Sequence, residues 1–123
     1  MKLLDFASSE YVILTTYKRD GTPVPTVVWI AQHENYLVVT TSNNSGKVKR
    51  IRNNNKVAIC ETNRTGSKKL TQDYLAKGYE VLDEEEKLSG VNAIRSKYGS
   101  VGKAMTQGPM ENRSILKITE LTE

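Results

Sequence analysis

The chain has one cysteine, one histidine, one tryptophan, one phenylalanine and three prolines among its 123 residues. A lone thiol, Cys60, forms no internal disulfide and suits a reducing compartment. It follows Val57-Ala58-Ile59, where a small buried hydrophobe is its expected role. A single histidine and scattered carboxylates leave no ligand set at metal-binding spacing. No apolar run approaches the roughly 20 residues of a membrane span, and the start, Met1 to Asp5, carries no signal-peptide core. These absences point to a cytoplasmic protein without membrane contact. With 37% hydrophobic and 26% charged residues, it reads as one domain over 1–123 with an ordinary globular core.

Another absence is local. No Asp or Glu occurs between Glu34 and Glu61, whereas Lys47, Lys49, Arg50, Arg52 and Lys56 all lie in that window. The window carries more positive charge than the +4 of the whole chain, so the basicity is concentrated rather than diffuse. Its centre is Thr40-Thr41-Ser42-Asn43-Asn44-Ser45-Gly46-Lys47-Val48-Lys49-Arg50-Ile51-Arg52. A β-branched run leads through small polar residues into helical spacing, with Val48 and Ile51 on one face. Strand, polar turn and helix start together present backbone N–H groups and a positive dipole end to an anion. Ser45 can cap or donate a hydroxyl, Gly46 admits close approach, and Lys47 adds charge. A solvated basic helix flank is the plain alternative. Nucleic-acid binding is disfavoured, because aromatics do not interleave these cations and the net charge is small.

The remaining segments read as short strands. Lys2 to Ser9 has amphipathic helical spacing, and Tyr11 to Tyr17 is dense in β-branched and aromatic residues. Asp20-Gly21 then signals a hairpin. Strands are expected over Pro25–Ala31, Tyr36–Thr41, Lys56–Thr62, within Leu70–Leu82 and over Ser114–Thr119. Gly78 is expected to mark a bulge or bend. The Asn53-Asn54-Asn55 run should end the basic helix through left-handed geometry. Asp83 reads as the N-cap of a second helix that carries Leu88, Val91 and Ile94 and stops at Tyr98-Gly99, with a short helix around Lys103-Ala104-Met105. Antiparallel strands with two to four short helices imply a small six- to seven-stranded barrel, mainly β with α. The apolar Val27-Val28-Trp29-Ile30 run lacks a polar face, which suggests cover by a second subunit.

In order, Arg19-Asp20-Gly21-Thr22-Pro23, Pro25-Thr26-Val27-Val28-Trp29, Thr41 with Ser45 to Arg52, Asn55-Lys56-Val57 and Lys97-Tyr98-Gly99 resemble the pyridoxamine 5′-phosphate oxidase-like split-barrel flavoproteins. The small branch dependent on the deazaflavin coenzyme F-420 is the most similar. The resemblance covers essentially the whole chain. It implies the FMN-binding split barrel and a homodimer with cofactor sites at the interface. It further implies hydride transfer between F-420, or alternatively FMN, and a small organic molecule, or flavin binding without turnover. By position it implies that Ser45 and Lys47 hold the cofactor phosphate, with Gly46 in the turn and Arg50 adding charge. Thr26, Val27, Val28 and Trp29 would run beside the ring, and Thr40 and Thr41 would approach the ribityl chain. True pyridoxamine phosphate oxidases have Arg in place of Gly46, a Lys near Ala31 and a C-terminal Arg/His-bearing segment; pyridoxamine phosphate oxidation is therefore not the expected activity. No catalytic residue is assigned. Tyr79 and Tyr98 are candidate acids with core or interface roles as the simpler reading. His33 reads as an exposed turn residue and Trp29 as interface packing.

Overall fold

The computed structural model describes residues 2–42, 45–105 and 113–121. A 3-10 helix at Leu3–Ser8 precedes β1 (Tyr11–Tyr17), β2 (Pro23–Val28), β3 (Ala31–His33) and β4 (Tyr36–Ser42). Helix α1 (Gly46–Asn53) leads to β5 (Lys56–Thr62) and β6 (Tyr74–Glu80). Helix α2 (Glu84–Met105) and β7 (Arg113–Glu120) complete the chain order. All pairings are antiparallel, in one seven-stranded sheet of order β2-β1-β5-β6-β7-β4-β3. This is the small antiparallel barrel expected from the strand pattern, and the split barrel that the resemblance implies.

The sheet's two faces carry two apolar layers. Alternation along β1 sends Val12, Leu14 and Thr16 inward. They meet Leu37 and Val39 of β4, Val57 and Ile59 of β5, and Leu116 and Ile118 of β7 in the barrel interior. Val48 and Ile51 of α1 close one part of this interior, and Leu3 and Phe6 of the 3-10 helix close another. The opposite face of β4 and β7 gives Val38 and Ile115 to Val91 and Ile94 of α2. Cys60 is fully buried.

Three local expectations are revised. The strand expected over Pro25–Ala31 is two strands, β2 and β3, separated by Trp29-Ile30. These are the two edges of the sheet order, so one broken strand supplies both edges of the barrel. Gly78 is not a bulge, because the register runs unbroken from Ala76↔Glu120 to Glu80↔Leu116. A Cβ at Gly78 would lie 3.1 Å from Val57 and 3.2 Å from Ile51, so the glycine makes room for α1 against the barrel. Helix α1 does not end in left-handed geometry, since Asn54 is extended at φ −148°. The asparagines satisfy carbonyls instead: Asn53 Nδ2 donates to Lys49 O at 3.1 Å and Asn55 Nδ2 to Gly78 O at 2.9 Å. Helix α2 breaks at Gly99 (φ 62°, ψ −138°), where its end was expected, and a further helical stretch continues to Met105.

The hairpin at Asp20-Gly21 forms as expected. Gly21 takes φ 89°, and Asp20 Oδ1 accepts from the Thr22 N–H at 3.0 Å.

Candidate functional site

Helix α1 begins without the usual electrostatic complement. Ser45 is the N-cap residue by backbone, yet its side chain makes no capping bond, and no acidic residue stands in the first turn. Its hydroxyl instead accepts from Thr41 Oγ1 at 3.3 Å, so the expected Ser45 cap is corrected to a bridge between β4 and the helix start. Burial and the nearby Arg50 guanidinium hold the Lys47 ammonium below the usual lysine range. Arg50 folds back over the first turn, where a Cβ on Gly46 would lie 2.6 Å from its Nη1. Its Nε donates to buried Thr16 Oγ1 at 2.6 Å. Gly46 thus leaves room for the path the arginine takes.

A cleft of about 560 Å³ opens beside this helix start, within the range of small-molecule sites. Tyr11, Val27, Val28 and Trp29 form its apolar and aromatic wall, and Thr40, Lys47, Arg64 and Arg113 its polar one. No carboxylate lines it among the described residues. Among the described residues the buried Thr40 hydroxyl has no hydrogen-bond partner, a condition that costs free energy unless a ligand supplies the partner. Cations, an open helix start and an orphaned hydroxyl beside a flat aromatic wall fit a phosphate-bearing ring cofactor.

Of the ten residues expected at the site, Val27, Val28, Trp29, Thr40 and Lys47 line the cleft. Gly46 and Ser45 sit at the adjoining helix start. Thr41 reaches the site through Ser45, and Arg50 is anchored on Thr16. Thr26 pairs with Leu14 on the inward face of β2 and is not part of the lining.

Three lining residues escape sequence inspection: Tyr11, Arg64 and Arg113. Arg64 lies in a turn closed by Gly66 N–H to Asn63 O at 3.1 Å and braced by Asn63, Thr65 and Ser67 side chains. Gly66, at φ 77°, lies so close to Val27 that a Cβ would overlap its methyl. The turn therefore rests on β2 and delivers Arg64 to the cleft. Arg113 enters because it pairs with Ser42 at the end of β4.

Tyr98 and Lys97 serve the gap between β2 and β3. The Tyr98 hydroxyl accepts from the Ile30 N–H at 3.1 Å and donates to Glu10 O at 2.6 Å. Lys97 Nζ donates to Ile30 O at 2.6 Å and also to Ser9 O. Burial pushes the Tyr98 phenol up to about 12 and the Lys97 ammonium down. Tyr98 also stacks on Trp29, with ring centroids 4.3 Å apart and planes 8° from parallel. Trp29 thus has a partner within the chain as well as a place in the cleft.

Tyr79 is exposed on β6 and lines a separate hollow with Glu86 and Lys117. His33 ends β3, partly covered and edge-on to the Tyr36 ring at 5.5 Å. Among the described residues no group of three His, Cys, Asp or Glu is placed to hold a metal. No helix there is long and apolar enough to cross a membrane.

The sequence matches the family of pyridoxamine 5′-phosphate oxidase over residues 2–121. The chain belongs to that family. Its fold typically binds flavin, and the family includes oxidoreductases. Sequence comparison with curated proteins finds no match. Among solved structures, this family member is similar to a conserved hypothetical protein from Mycobacterium tuberculosis (TM-score 0.76, 21% identity, 99% of this chain and 82% of that one). It is also similar to a heme storage protein from Vibrio cholerae (0.73, 16%, covering 100% and 93%). An F420 reductase gives a TM-score of 0.59 at 17% identity, covering 99% and 95%. At these identities the likeness bears on fold alone.

Proposed function

We propose that this family member is an oxidoreductase that uses coenzyme F-420 for hydride exchange with a small organic molecule, as a homodimer with the cofactor at the subunit interface. The observation that carries this reading is the cleft lined by Lys47 and Arg64, with no carboxylate among its described lining residues. Such an excess of positive charge suits a cofactor bearing both a phosphate and a glutamate tail. FMN is the alternative, favoured by the flavin preference of the fold; its phosphate would draw on Lys47 and the start of α1 alone.

Lys47 and the first-turn N–H groups of α1 would hold the phosphate, with Ser45, Gly46 and Arg50 shaping and charging that turn. Thr40 would supply its hydroxyl to the ribityl chain, with Thr41 behind it. Val27, Val28 and Trp29 would shield one side of the ring from water, and Thr26 would set the β2 backbone beside it. When bound, the deazaflavin supplies a hydride donor and acceptor at a ring carbon. No side chain need become covalent. Tyr98 stays protonated up to about pH 12 and its hydroxyl is committed to Ile30 and Glu10, which removes it as a proton donor. A second protomer has a surface to meet: Leu75 is 47% exposed on β6, and Ile13 and Val27 are only partly covered on the same sheet face.

Fluorescence titration of flavin-free protein with F-420 and with FMN, beside a Lys47→Ala variant, tests the reading. F-420 binding that weakens about 10- to 100-fold in the variant is expected, the loss of one charge-assisted contact. FMN binding alone would transfer the function to the FMN alternative. Failure of both ligands would overturn the proposal.

A further inference from the structure

Trp29 lies where the barrel wall is interrupted. A residue between two edge strands has no ladder to fix its backbone, and a side chain there would ordinarily sample several rotamers. Instead, both backbone groups of the following residue, Ile30, are bonded by α2 side chains. Its N–H meets Tyr98 Oη and its carbonyl meets Lys97 Nζ. The same two side chains reach the carbonyls of Glu10 and Ser9 just before β1. Lys97 and Tyr98 thus stand in for the missing strand partner and tie α2 to both sides of the gap. The Tyr98 ring then covers one face of the Trp29 indole at stacking distance. The indole contributes to the aromatic part of the cleft wall.

We propose that Tyr98 is a positioning residue for ligand binding: clamped at the strand break, it holds the Trp29 indole as a rigid platform for the flat ring of the ligand. This rests on the function proposed above. Lys97 assists by fixing the Ile30 carbonyl. The cleft then recognises its ligand through two separable parts. The anionic part is read by Lys47 and the helix start, and the planar part by an indole whose angle is set from α2. Stacking on a fixed aromatic contributes more than stacking on a mobile one, because the rotamer entropy is already lost before binding.

Trp29 is the sole tryptophan, so its emission reports the platform directly. The test compares wild type, Tyr98→Leu, Tyr98→Phe and Trp29→Ala in titrations with F-420 and FMN, and with inorganic pyrophosphate, which has charge but no ring. Tyr98→Leu is expected to red-shift and broaden the Trp29 emission and to weaken the ring-bearing ligand about tenfold. Pyrophosphate affinity should stay unchanged in that variant but fall in Lys47→Ala. Tyr98→Phe keeps the ring but loses the hydroxyl bonds to Ile30 and Glu10, so its ring-ligand affinity should fall between wild type and Tyr98→Leu. Trp29→Ala, which leaves the clamp intact, should lose as much as Tyr98→Leu and decides the matter if the latter fails to fold. Unchanged ring-ligand affinity in Trp29→Ala, or an unchanged Trp29 emission in folded Tyr98→Leu, would overturn the proposal. A wild-type protein that binds neither cofactor would sink the functional reading. The emission of Tyr98→Leu would then still decide whether Tyr98 fixes the indole.

Discussion

The two helices of this barrel begin in opposite ways. At α2, Asp83 Oδ2 accepts from the Glu86 N–H at 2.9 Å, and Glu84, Glu85 and Glu86 fill the first turn with negative charge. At α1 the N-cap side chain makes no capping bond, the first turn contains no acid, and Lys47 stands where α2 has glutamates. Both arrangements answer the same dipole, but only the first completes it. The other end of α1 is complete too: Arg52 donates Nε to Glu80 Oε1 at 2.7 Å and Nη2 to Oε2 at 2.9 Å. The deficit is confined to one turn, and that turn borders the cleft with the orphaned Thr40 hydroxyl. An uncapped helix start with no acid in its first turn is the kind of place an external anion would complete.

Making α1 resemble α2 should have the largest effect. Ser45→Asp places a carboxylate where the ligand phosphate would sit. It should raise folding stability by about 0.5–1 kcal/mol through capping. It should also weaken F-420 or FMN binding about 100-fold by repulsion, about 2.7 kcal/mol. Thermal melts and titrations on one preparation would show the two effects with opposite signs; weakened folding together with retained binding would contradict the contrast. The reverse change, Asp83→Ala, should cost about 1 kcal/mol in denaturant unfolding and leave ligand affinity untouched, because α2's start does not border the cleft.

Removing the complete end of α1 should matter less. Glu80→Gln breaks the bidentate pair with a half-exposed Arg52, a loss of about 0.5–1 kcal/mol. Arg52 holds the Glu80 carboxyl below its usual range. Its contribution is therefore present above the ordinary glutamate value and fades as pH falls through the lowered folded value. Acid unfolding of the variant should lack that part of the wild-type decline.

The smallest effect belongs to pH at the open end. Lys47 is held low in the folded chain. The strain of its charged form is fully present below that folded value and is relieved as pH rises through it toward the ordinary lysine value. Anion affinity should move oppositely, declining over the same alkaline window, by less than about tenfold in total. A titration series in FMN or F-420 concentration across alkaline pH would reveal a flat profile if Lys47 does not take part.

Which of these features could be read in advance depended on how far apart their causes lie in sequence. Tyr11 to Tyr17, Asp20-Gly21 and Lys56 to Thr62 carry their own strand and turn chemistry, and they fold as read. Asp83 is equally local. The break at Trp29-Ile30 is not local: Val27 to Ala31 is continuously apolar, and what holds the gap is Lys97 and Tyr98, about seventy residues later. Gly78 looked like a bulge because its neighbour Ile51 belongs to another element. Lys47 and Thr40 were legible because strand, turn and helix follow one another directly. Arg64 and Arg113 were not. One arrives on a turn laid against Val27, the other through the pairing of β7 with β4.

The broken edge strand also bears on how the barrel is assembled. Hairpins β1–β2 and β3–β4 are made from adjacent chain and can form early. They are held together at first only by the Trp29-Ile30 tether, since no ladder joins β2 to β3. The ring between them is filled by β5, β6 and β7, with β1 pairing to β5 and β4 to β7 across long sequence separations. Neither hairpin gains an interior until those strands arrive, so the loop-closure cost precedes most of the burial. The chain should therefore fold slowly for its length and in one cooperative step, with the α2 clamp at Ile30 latching a ring that is already closed.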